Sequence, residues 1–326
     1  AAGAVTCLEI DRQSDEDYGF LSSSTLSDFH IICSLAAGEF GHVDLVKLKS
    51  NIKCHFAMKV LEKKPIFNNG HREHVLREGR ILMEAHSPFI IRCPLHKTFR
   101  DPECLYMLTE ACLGGDLYGY LDERSTRFYT ACVVEALTFL HCRGVVYRDV
   151  KPENVVLDEH GYAKLVLQCL KQVEVGKKTW TFCGTLGYMA PEIILSKGHS
   201  TSVDFWSLGI FVFELLSGGL PFSGSDPVDI LAATIRGVAQ MDFPKNFSTC
   251  ASSLIKKLCR WFEGFNWDGL CKKTLTPPVI PKVRFLSNLL FPRCPAVFQV
   301  TPPPDSSACG DYSVDPAELC TNWEDF

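Results

Sequence analysis

The sequence predicts an α+β fold in two parts, a small antiparallel β-sheet with one helix followed by a mainly helical region. Apolar residues alternate with a period of two across residues 29–61, around a glycine turn, which is typical of strands. From residue 126 the apolar period becomes helical. Residues 203–216 are apolar nearly all round and end at a Gly-Gly pair, which indicates a helix at the centre of a large domain.

The composition is that of a globular protein, and it argues against nucleic-acid-binding, membrane-spanning and disulfide-rich secreted proteins. The 326 residues carry a formal net charge of -5, which gives no basic footprint for nucleic acid and is compatible with a basic peptide partner. The longest apolar runs are shorter than the ~20 residues that span a bilayer, so we expect no membrane span. The 16 cysteines form no Cys-x-x-Cys pair and follow no signal-like segment, so we expect reduced thiols and a cytoplasmic location.

Composition also divides the chain into three parts. Residues 1–26 are acidic and serine-rich and are interpreted as a linker. Residues 27–270 form the predicted domain, with a sheet-rich part at about 27–110 and a helical part at about 111–270. Residues 271–326 form a proline-rich tail. The first residue is alanine rather than methionine, which favours a piece of a longer protein.

Two helices are predicted, and one of them carries a candidate site carboxylate. In residues 73–83, Val75, Glu78 and Leu82 fall at i, i+3 and i+7, so a carboxylate lies between two apolar anchors on one face. That carboxylate is expected to face inward. Residues 126–141 carry an apolar stripe that ends shortly before a glycine, the common helix terminator.

The strongest local signal is the octapeptide at 147–154, Tyr-Arg-Asp-Val-Lys-Pro-Glu-Asn. It resembles the catalytic loop of protein kinases, with tyrosine in place of the usual histidine. Phosphoryl transfer needs a carboxylate for the attacking hydroxyl, a cation near the transferred phosphate and an amide for metal. Asp149, Lys151 and Asn154 supply these three groups. The alternative is a polar turn between a helix and a strand.

A glycine turn upstream resembles the loop that covers ATP phosphates. In residues 35–43, Gly38 and Gly41 would let backbone N–H groups approach the anion without a Cβ in the way, although Ala36 replaces the first glycine. Taken alone, such a turn is more often an ordinary hairpin connection.

The next strand strengthens the interpretation as a phosphate site. Alternation with a period of two puts Ala57 and Lys59 on one face, so Ala57 can cover adenine while Lys59 reaches phosphates. Glu78 is the natural partner to hold Lys59. An ordinary surface ion pair of little energetic value is the alternative for this pair.

Over about residues 27–276 the sequence resembles the AGC group of protein kinases, and specifically the cyclic-GMP-dependent kinases. Four phrases are similar to that family almost letter for letter: residues 26–29, 110–115, 126–132 and 261–267. The resemblance implies a bilobal protein-kinase fold that transfers the ATP γ-phosphate to Ser or Thr in basic sequences, with ATP and magnesium as cofactors. It also implies that cyclic-GMP-binding regulatory domains belong elsewhere in a full-length protein.

The resemblance assigns roles around the nucleotide. Thr109 would lie at the back of the adenine pocket. The Glu110 carbonyl and the Cys112 amide would bind adenine, and Asp116 would face the ribose. The complete expected ATP-binding set is Leu35, Gly38, Phe40, Gly41, Val43, Ala57, Lys59, Glu78, Glu110, Cys112, Asp116 and Val156.

Further roles concern activation and the peptide substrate. Phosphorylated Thr181 would dock on Arg148 through charge-assisted hydrogen bonds. Glu153 and Glu214 match positions that meet basic residues before the target hydroxyl, and Thr185 joins this substrate set. The alternatives are a threonine-rich surface loop and ordinary surface or capping carboxylates.

Two structural carboxylates complete the set. Asp204, in Asp-Phe-Trp-Ser-Leu-Gly, would brace the catalytic loop from the buried helix. Glu192 matches a glutamate that the family pairs with an arginine. That arginine lies in a block that is missing where Arg260 runs directly into Trp261. The loss of a buried partner of this kind costs on the order of 3 kcal/mol or more.

The main departure from the family lies at residues 167–170. The family requires Asp-Phe-Gly there, and its aspartate holds magnesium, whereas this chain has Leu-Gln-Cys-Leu and is one residue short. Asn154 is then the one expected magnesium ligand. A second hypothesis is therefore a catalytically impaired, kinase-like binding module or scaffold, originating as a splice variant, a pseudokinase or a faulty gene model.

Overall fold

A computed structural model describes most of the predicted domain. The described residues are 21–38, 41–68, 72–93, 97–117, 119–167, 170–173, 177–237, 241–256 and 274–276, without the side chains at 52, 53, 73, 74, 77, 78 and 82. They fall into two compact units, the first containing residues 21–79 and 93–111 and the second residues 80–92 and 112–276. The predicted tail at 271–326 lies almost entirely outside the described residues.

One antiparallel sheet organises the first unit, with strand order β1-β2-β3-β5-β4. Its strands are β1 (Phe29–Gly38), β2 (Gly41–Leu48), β3 (Asn51–Glu62), β4 (Thr98–Arg100) and β5 (Cys104–Glu110). Two helices follow β3 in the chain, α1 (Lys63–Asn68) and α2 (Arg72–Glu84). In β3, Phe56, Met58 and Val60 point into an apolar cluster, so the alternate residues Ala57 and Lys59 share the opposite face.

The apolar cluster also contains Leu21, which lies within the segment interpreted as a linker. Leu21 is fully buried against Phe29, Val46 and other residues of the sheet. A turn follows it, in which the Leu21 carbonyl accepts hydrogen bonds from the backbone N–H and the hydroxyl of Ser24, at 3.0 and 2.8 Å. The packed part of the chain therefore includes residues before the expected boundary at 27.

The second unit is mainly helical. Its helices are α3 (Glu123–His141), α4 (Pro191–Ile194), α5 (Ser202–Ser217), α6 (Pro227–Arg236) and α7 (Thr249–Lys256). Two short antiparallel pairs accompany them, β6 (Val145–Val146) with β9 (Lys171–Gln172), and β7 (Val155–Leu157) with β8 (Ala163–Leu165). The predicted α+β class, an antiparallel sheet followed by a mainly helical part, is confirmed.

The central helix is α5, whose sequence leaves it buried on nearly every side. It ends because Gly218 adopts a left-handed conformation, with φ of 78°, and donates its N–H to the Glu214 carbonyl at 2.7 Å. In the ranges that the structure describes, no helix has both the length and the apolar character of a membrane span.

We expect Leu21→Ala to lower the free energy of unfolding by about 2 to 4 kcal/mol, because it leaves a cavity in the sheet cluster. Urea unfolding of the purified chain measures this. The control is Ser23→Ala, because Ser23 is exposed and its loss should change stability by less than about 0.5 kcal/mol. Equal midpoints for the two variants would show that the packed unit does not include residue 21.

Candidate active site

A loop between β6 and β7 carries the residues with the clearest chemistry. It runs through residues 147–154 and closes with a single 3-10 turn, Pro152–Asn154. The Tyr147 hydroxyl donates to the Val166 carbonyl at 2.6 Å, and the Val166 N–H donates to the Asn154 carbonyl at 2.9 Å. Both ends of the loop are therefore tied to the strand-like segment that follows β8.

Asp204 of α5 binds the backbone at the start of this loop. Its carboxylate is fully buried in α5 and accepts the backbone N–H of Arg148 at 2.6 Å and that of Tyr147 at 2.9 Å. His141, the last residue of α3, lies with Nε2 2.7 Å from the same carboxylate. These bonds compensate the burial of a charged group, which is otherwise very costly.

Asp149 lies at the centre of a small polar network. Asn154 Nδ2 donates to its Oδ2 at 2.7 Å and to its carbonyl oxygen at 2.8 Å, and the Thr185 hydroxyl donates to Oδ1 at 2.6 Å. Lys151 Nζ bonds to the Thr185 hydroxyl at 2.7 Å and lies 3.4 Å from Asp149 Oδ2. The structure thus brings together a carboxylate, an ammonium, an amide and a hydroxyl, all predicted as site residues.

The segment around Thr181 packs against this loop. Gly184 has a φ of 115°, and a Cβ there would meet the Arg148 carbonyl at 2.9 Å, so only glycine permits this close approach. Arg148 is buried, and Thr181 is exposed with its hydroxyl 3.4 Å from that of Thr179. Burial raises the pKa of the Cys183 thiol, and the positive charge of the Arg148 guanidinium acts in the opposite direction. The charge of Arg148 is therefore near this segment.

Glu214 forms a second acidic feature of the same unit. It is buried in α5 and accepts a short hydrogen bond from the Tyr188 hydroxyl. Burial raises the pKa of the Glu214 carboxyl above its ordinary value of 4.5, and the nearby carboxylate of Glu153 raises it further, while the Tyr188 hydrogen bond opposes both. A cation placed near both carboxylates would oppose this increase in the pKa.

The predicted nucleotide residues of the first unit lie on one face of its sheet. Val43 pairs with Lys59 across β2 and β3, and Ala57 pairs with Thr109 across β3 and β5, so all four share the face opposite the apolar cluster. The Thr109 hydroxyl donates to the Ala57 carbonyl at 3.2 Å.

The glycine turn between β1 and β2 is built as a hairpin. Gly38 pairs with Gly41, and Leu35 lies at an irregularity in the register between its neighbours. Gly41 has a φ of 155°, and a Cβ there would lie 2.0 Å from the Val60 carbonyl oxygen, so a side chain is excluded. Phe40 lies outside the described residues.

The remaining predicted nucleotide residues are distributed over both units. Glu110 ends β5 opposite Phe56 in the first unit, and in the second unit Asp116 forms an isolated bridge with Val156. Cys112 is half-buried in the second unit. The side chain of Glu78 is outside the description, so its pairing with Lys59 stays a prediction. The ATP-binding role of the whole set likewise stays a prediction.

A magnesium site of the kind used in phosphoryl transfer needs the Asp-Phe-Gly aspartate as well as Asn154. The described residues at that position, Leu167 and Leu170, are apolar and only 3% and 0% exposed. Residues 167–170 contain no carboxylate, so the donor set does not fit that site. Over the ranges that the structure covers, no cluster of three or more His, Cys, Asp or Glu side chains is able to hold a metal ion.

Sequence reasoning missed two residues of the site. Tyr188 bonds to Glu214, and no spacing pattern connects these positions in the sequence. His141 was predicted to end a helix but was given no role, although it lies against Asp204. Its position in the last helical turn is a weak signal, because basic side chains are favoured there by the helix dipole.

The fold and the loop geometry define a protein kinase, with an antiparallel sheet before a helical region that carries the Arg-Asp-x-Lys-x-x-Asn loop. Residues 29–263 match the family model described as protein kinase domain. The chain belongs to this family and has its α+β bilobal fold.

The relatives narrow the class further. The chain is 42% identical over 335 residues to "cGMP-dependent protein kinase, isozyme 2 forms cD5/T2" of Drosophila melanogaster, covering 87% of this chain and 36% of the relative. It is 45% identical over 300 residues to "cGMP-dependent protein kinase 2" of Homo sapiens, covering 83% and 39%. It is 42% identical over 288 residues to "cGMP-dependent protein kinase egl-4" of Caenorhabditis elegans, covering 79% and 37%. The kinase domain therefore resembles that of the cGMP-dependent kinases, and the chain spans less than half the length of these relatives.

The raised pKa of Glu214 predicts a pH-dependent stability. The folded protein binds this proton more tightly than the unfolded chain, so the stabilisation is fully present below pH 4.5 and is lost as the pH rises through the raised folded-state pKa. The variant Glu214→Gln keeps an acceptor for Tyr188 and has no such proton. We expect the melting temperature of the wild type to fall relative to Glu214→Gln between pH 4.5 and 7.

Thermal melts at matched ionic strength measure this difference. The control is Glu84→Gln, because the Glu84 side chain is exposed and its replacement should leave the pH profile unchanged. Parallel profiles for the wild type and Glu214→Gln would contradict the prediction.

Proposed function

We propose that this chain is the catalytic domain of an ATP-dependent serine/threonine protein kinase, a class that transfers the γ-phosphate to hydroxyls in basic sequences, and that the replaced Asp-Phe-Gly segment leaves this chain with little of that activity. The observation that carries the proposal is the hydrogen-bonded group formed by Asp149, Lys151, Asn154 and Thr185. It orients one carboxylate and one cation together, which is what in-line transfer to a hydroxyl requires of a protein.

In the proposed reaction Asp149 accepts the proton of the substrate hydroxyl while that oxygen attacks the γ-phosphorus and ADP leaves. Asn154 and Thr185 fix the orientation of the carboxylate through their bonds to its two oxygens. Lys151 contributes positive charge beside Asp149, where it would stabilise the transferring phosphoryl group. The proposed steps use only these side chains of the chain, because the residues present do not fit the family's magnesium site.

The peptide preference rests on Glu153 and Glu214. Their carboxylates are close enough for the charge of one to raise the pKa of the other, and Glu153 is exposed. Arginine or lysine before the acceptor would make charge-assisted contacts with such a pair. Lys59 and the glycines of the β1–β2 turn are proposed to contact the phosphates of ATP.

Two further proposals extend beyond the described residues. The relatives are named as cGMP-dependent kinases, so we propose that cyclic-GMP-binding domains regulate this domain within a longer protein. A cytoplasmic location is proposed from the sequence, because the cysteines show no disulfide or zinc spacing.

A second candidate is a kinase-like binding module without turnover. The observation in its favour is the apolar pair Leu167 and Leu170, buried where the family holds its metal-binding aspartate. Losing about 4 kcal/mol of transition-state stabilisation would lower the rate on the order of a thousandfold. The two candidates share the fold and differ in whether the chain turns over.

We expect the chain to phosphorylate a basic peptide barely above background. Replacing residues 167–170 with Asp-Phe-Gly-Phe-Ala restores the family's length, carboxylate and packing phenylalanine, and should raise kcat/KM on the order of a thousandfold. Peptide phosphorylation with radiolabelled ATP measures both chains. The control is the restored chain with Asp149→Asn, which should be inactive.

The outcomes separate the two candidates. Robust turnover by the unrestored chain would contradict the expected low activity and show that the reaction does not need a carboxylate at residues 167–170. A restored chain that folds and binds ATP but stays inactive would refute the kinase proposal and support the binding module.

A further inference from the structure

A cavity of about 270 Å³ lies in the second unit, away from the catalytic loop residues. It is lined by Glu192 of α4, Ser202, Phe205, Trp206, Gly209 and Ile210 of α5, Met241, and Ile255 and Lys256 of α7. Its volume suits one long side chain rather than a drug-sized molecule, for which pockets are typically 300 Å³ or more.

Glu192 gives the cavity its charge. The side chain is half-buried, and its one hydrogen-bond donor among the described residues is the Ser202 hydroxyl, at 3.3 Å from Oε1. No lysine, arginine or histidine of the described ranges lies within ion-pair distance of this carboxylate. The carboxylate therefore keeps most of its capacity to accept hydrogen bonds from a cation.

Aromatic rings form a wall of the same cavity. The Phe205 ring is 45% exposed, and the Trp206 ring stacks on Phe222 with centroids 6.0 Å apart. The Trp206 indole N–H is buried and has no hydrogen-bond acceptor among the residues that the structure covers. A wall of this kind offers ring faces to a cation and a donor to a carbonyl.

A carboxylate beside aromatic rings favours guanidinium over ammonium. The guanidinium group is planar, binds carboxylate with two parallel hydrogen bonds, stacks on rings and is less strongly hydrated than an ammonium. We propose that this cavity binds the arginine side chain of a partner peptide, with its guanidinium on Glu192.

Lys256 is the other charge on the cavity wall, and it opposes a cationic ligand. Its ammonium lies 4.8 Å from the centroid of the Phe243 ring, and the side chain is exposed. Removing this charge should therefore strengthen binding, whereas removing the charge of Glu192 should weaken it. A non-specific effect of mutation would not produce these opposite signs.

The test titrates the full chain with N-acetyl-arginine amide and follows tryptophan indole N–H signals by NMR, with the Trp206 signal assigned from Trp206→Phe. We expect that signal to move with a dissociation constant on the order of 1 mM. N-acetyl-citrulline amide, a neutral isostere, and N-acetyl-lysine amide should each bind about tenfold more weakly.

Three variants complete the test. Glu192→Gln should weaken binding of the arginine probe about tenfold, Lys256→Met should strengthen it about threefold, and the distant Glu159→Gln should leave it unchanged. Equal binding of the citrulline probe, or an unaltered affinity in a folded Glu192→Gln protein, overturns the proposal. If Glu192→Gln does not fold, the test rests on Lys256→Met, whose altered side chain is exposed. Unchanged or weaker binding of the arginine probe by Lys256→Met also overturns the proposal.

Discussion

The buried carboxylate of Asp204 is the constraint on which the candidate site depends. Arg148 has a φ of 72°, a left-handed conformation that costs a non-glycine residue roughly 1 to 2 kcal/mol. The bonds from the Tyr147 and Arg148 amides to Asp204 offset that cost and fix the direction in which the next residue, Asp149, leaves the loop. A neutral side chain at 204 would leave one of these buried amides without a good acceptor.

The departure from the kinase pattern lies next to this constraint and leaves it in place. Val166 still closes the loop through its bonds with Tyr147 and Asn154, although Leu167 and Leu170 follow directly as buried apolar residues. At this position the chain therefore buries two apolar side chains where the family has a charged group. The hydrogen bonds that orient Asp149 are present although the metal-binding aspartate of the family is replaced, which is why the two functional candidates share one fold.

Local patterns in the sequence predicted the geometry of the catalytic loop and the face of Lys59, because the loop residues are contiguous and the face follows from the pleat of a strand. Contacts between residues that are far apart in the sequence could not be predicted from local patterns. The pairing of Tyr188 with Glu214 has no periodicity to reveal it, and Leu21 is a single apolar residue before a run of serines. α3 begins at Glu123 rather than 126, because Asp122 caps it by accepting the Ser125 N–H at 2.8 Å.

Amide hydrogen exchange at Tyr147 and Arg148 tests the role of Asp204 most directly. If the carboxylate holds the loop, both amides exchange only through large-scale opening of the wild type. Asp204→Asn should then accelerate at least one of them by tenfold or more relative to the Leu157 amide, which bonds to the Gly115 carbonyl at 2.9 Å and reports general stability. Rapid exchange of the two amides in the wild type, or equal acceleration of all three in the variant, would contradict the account.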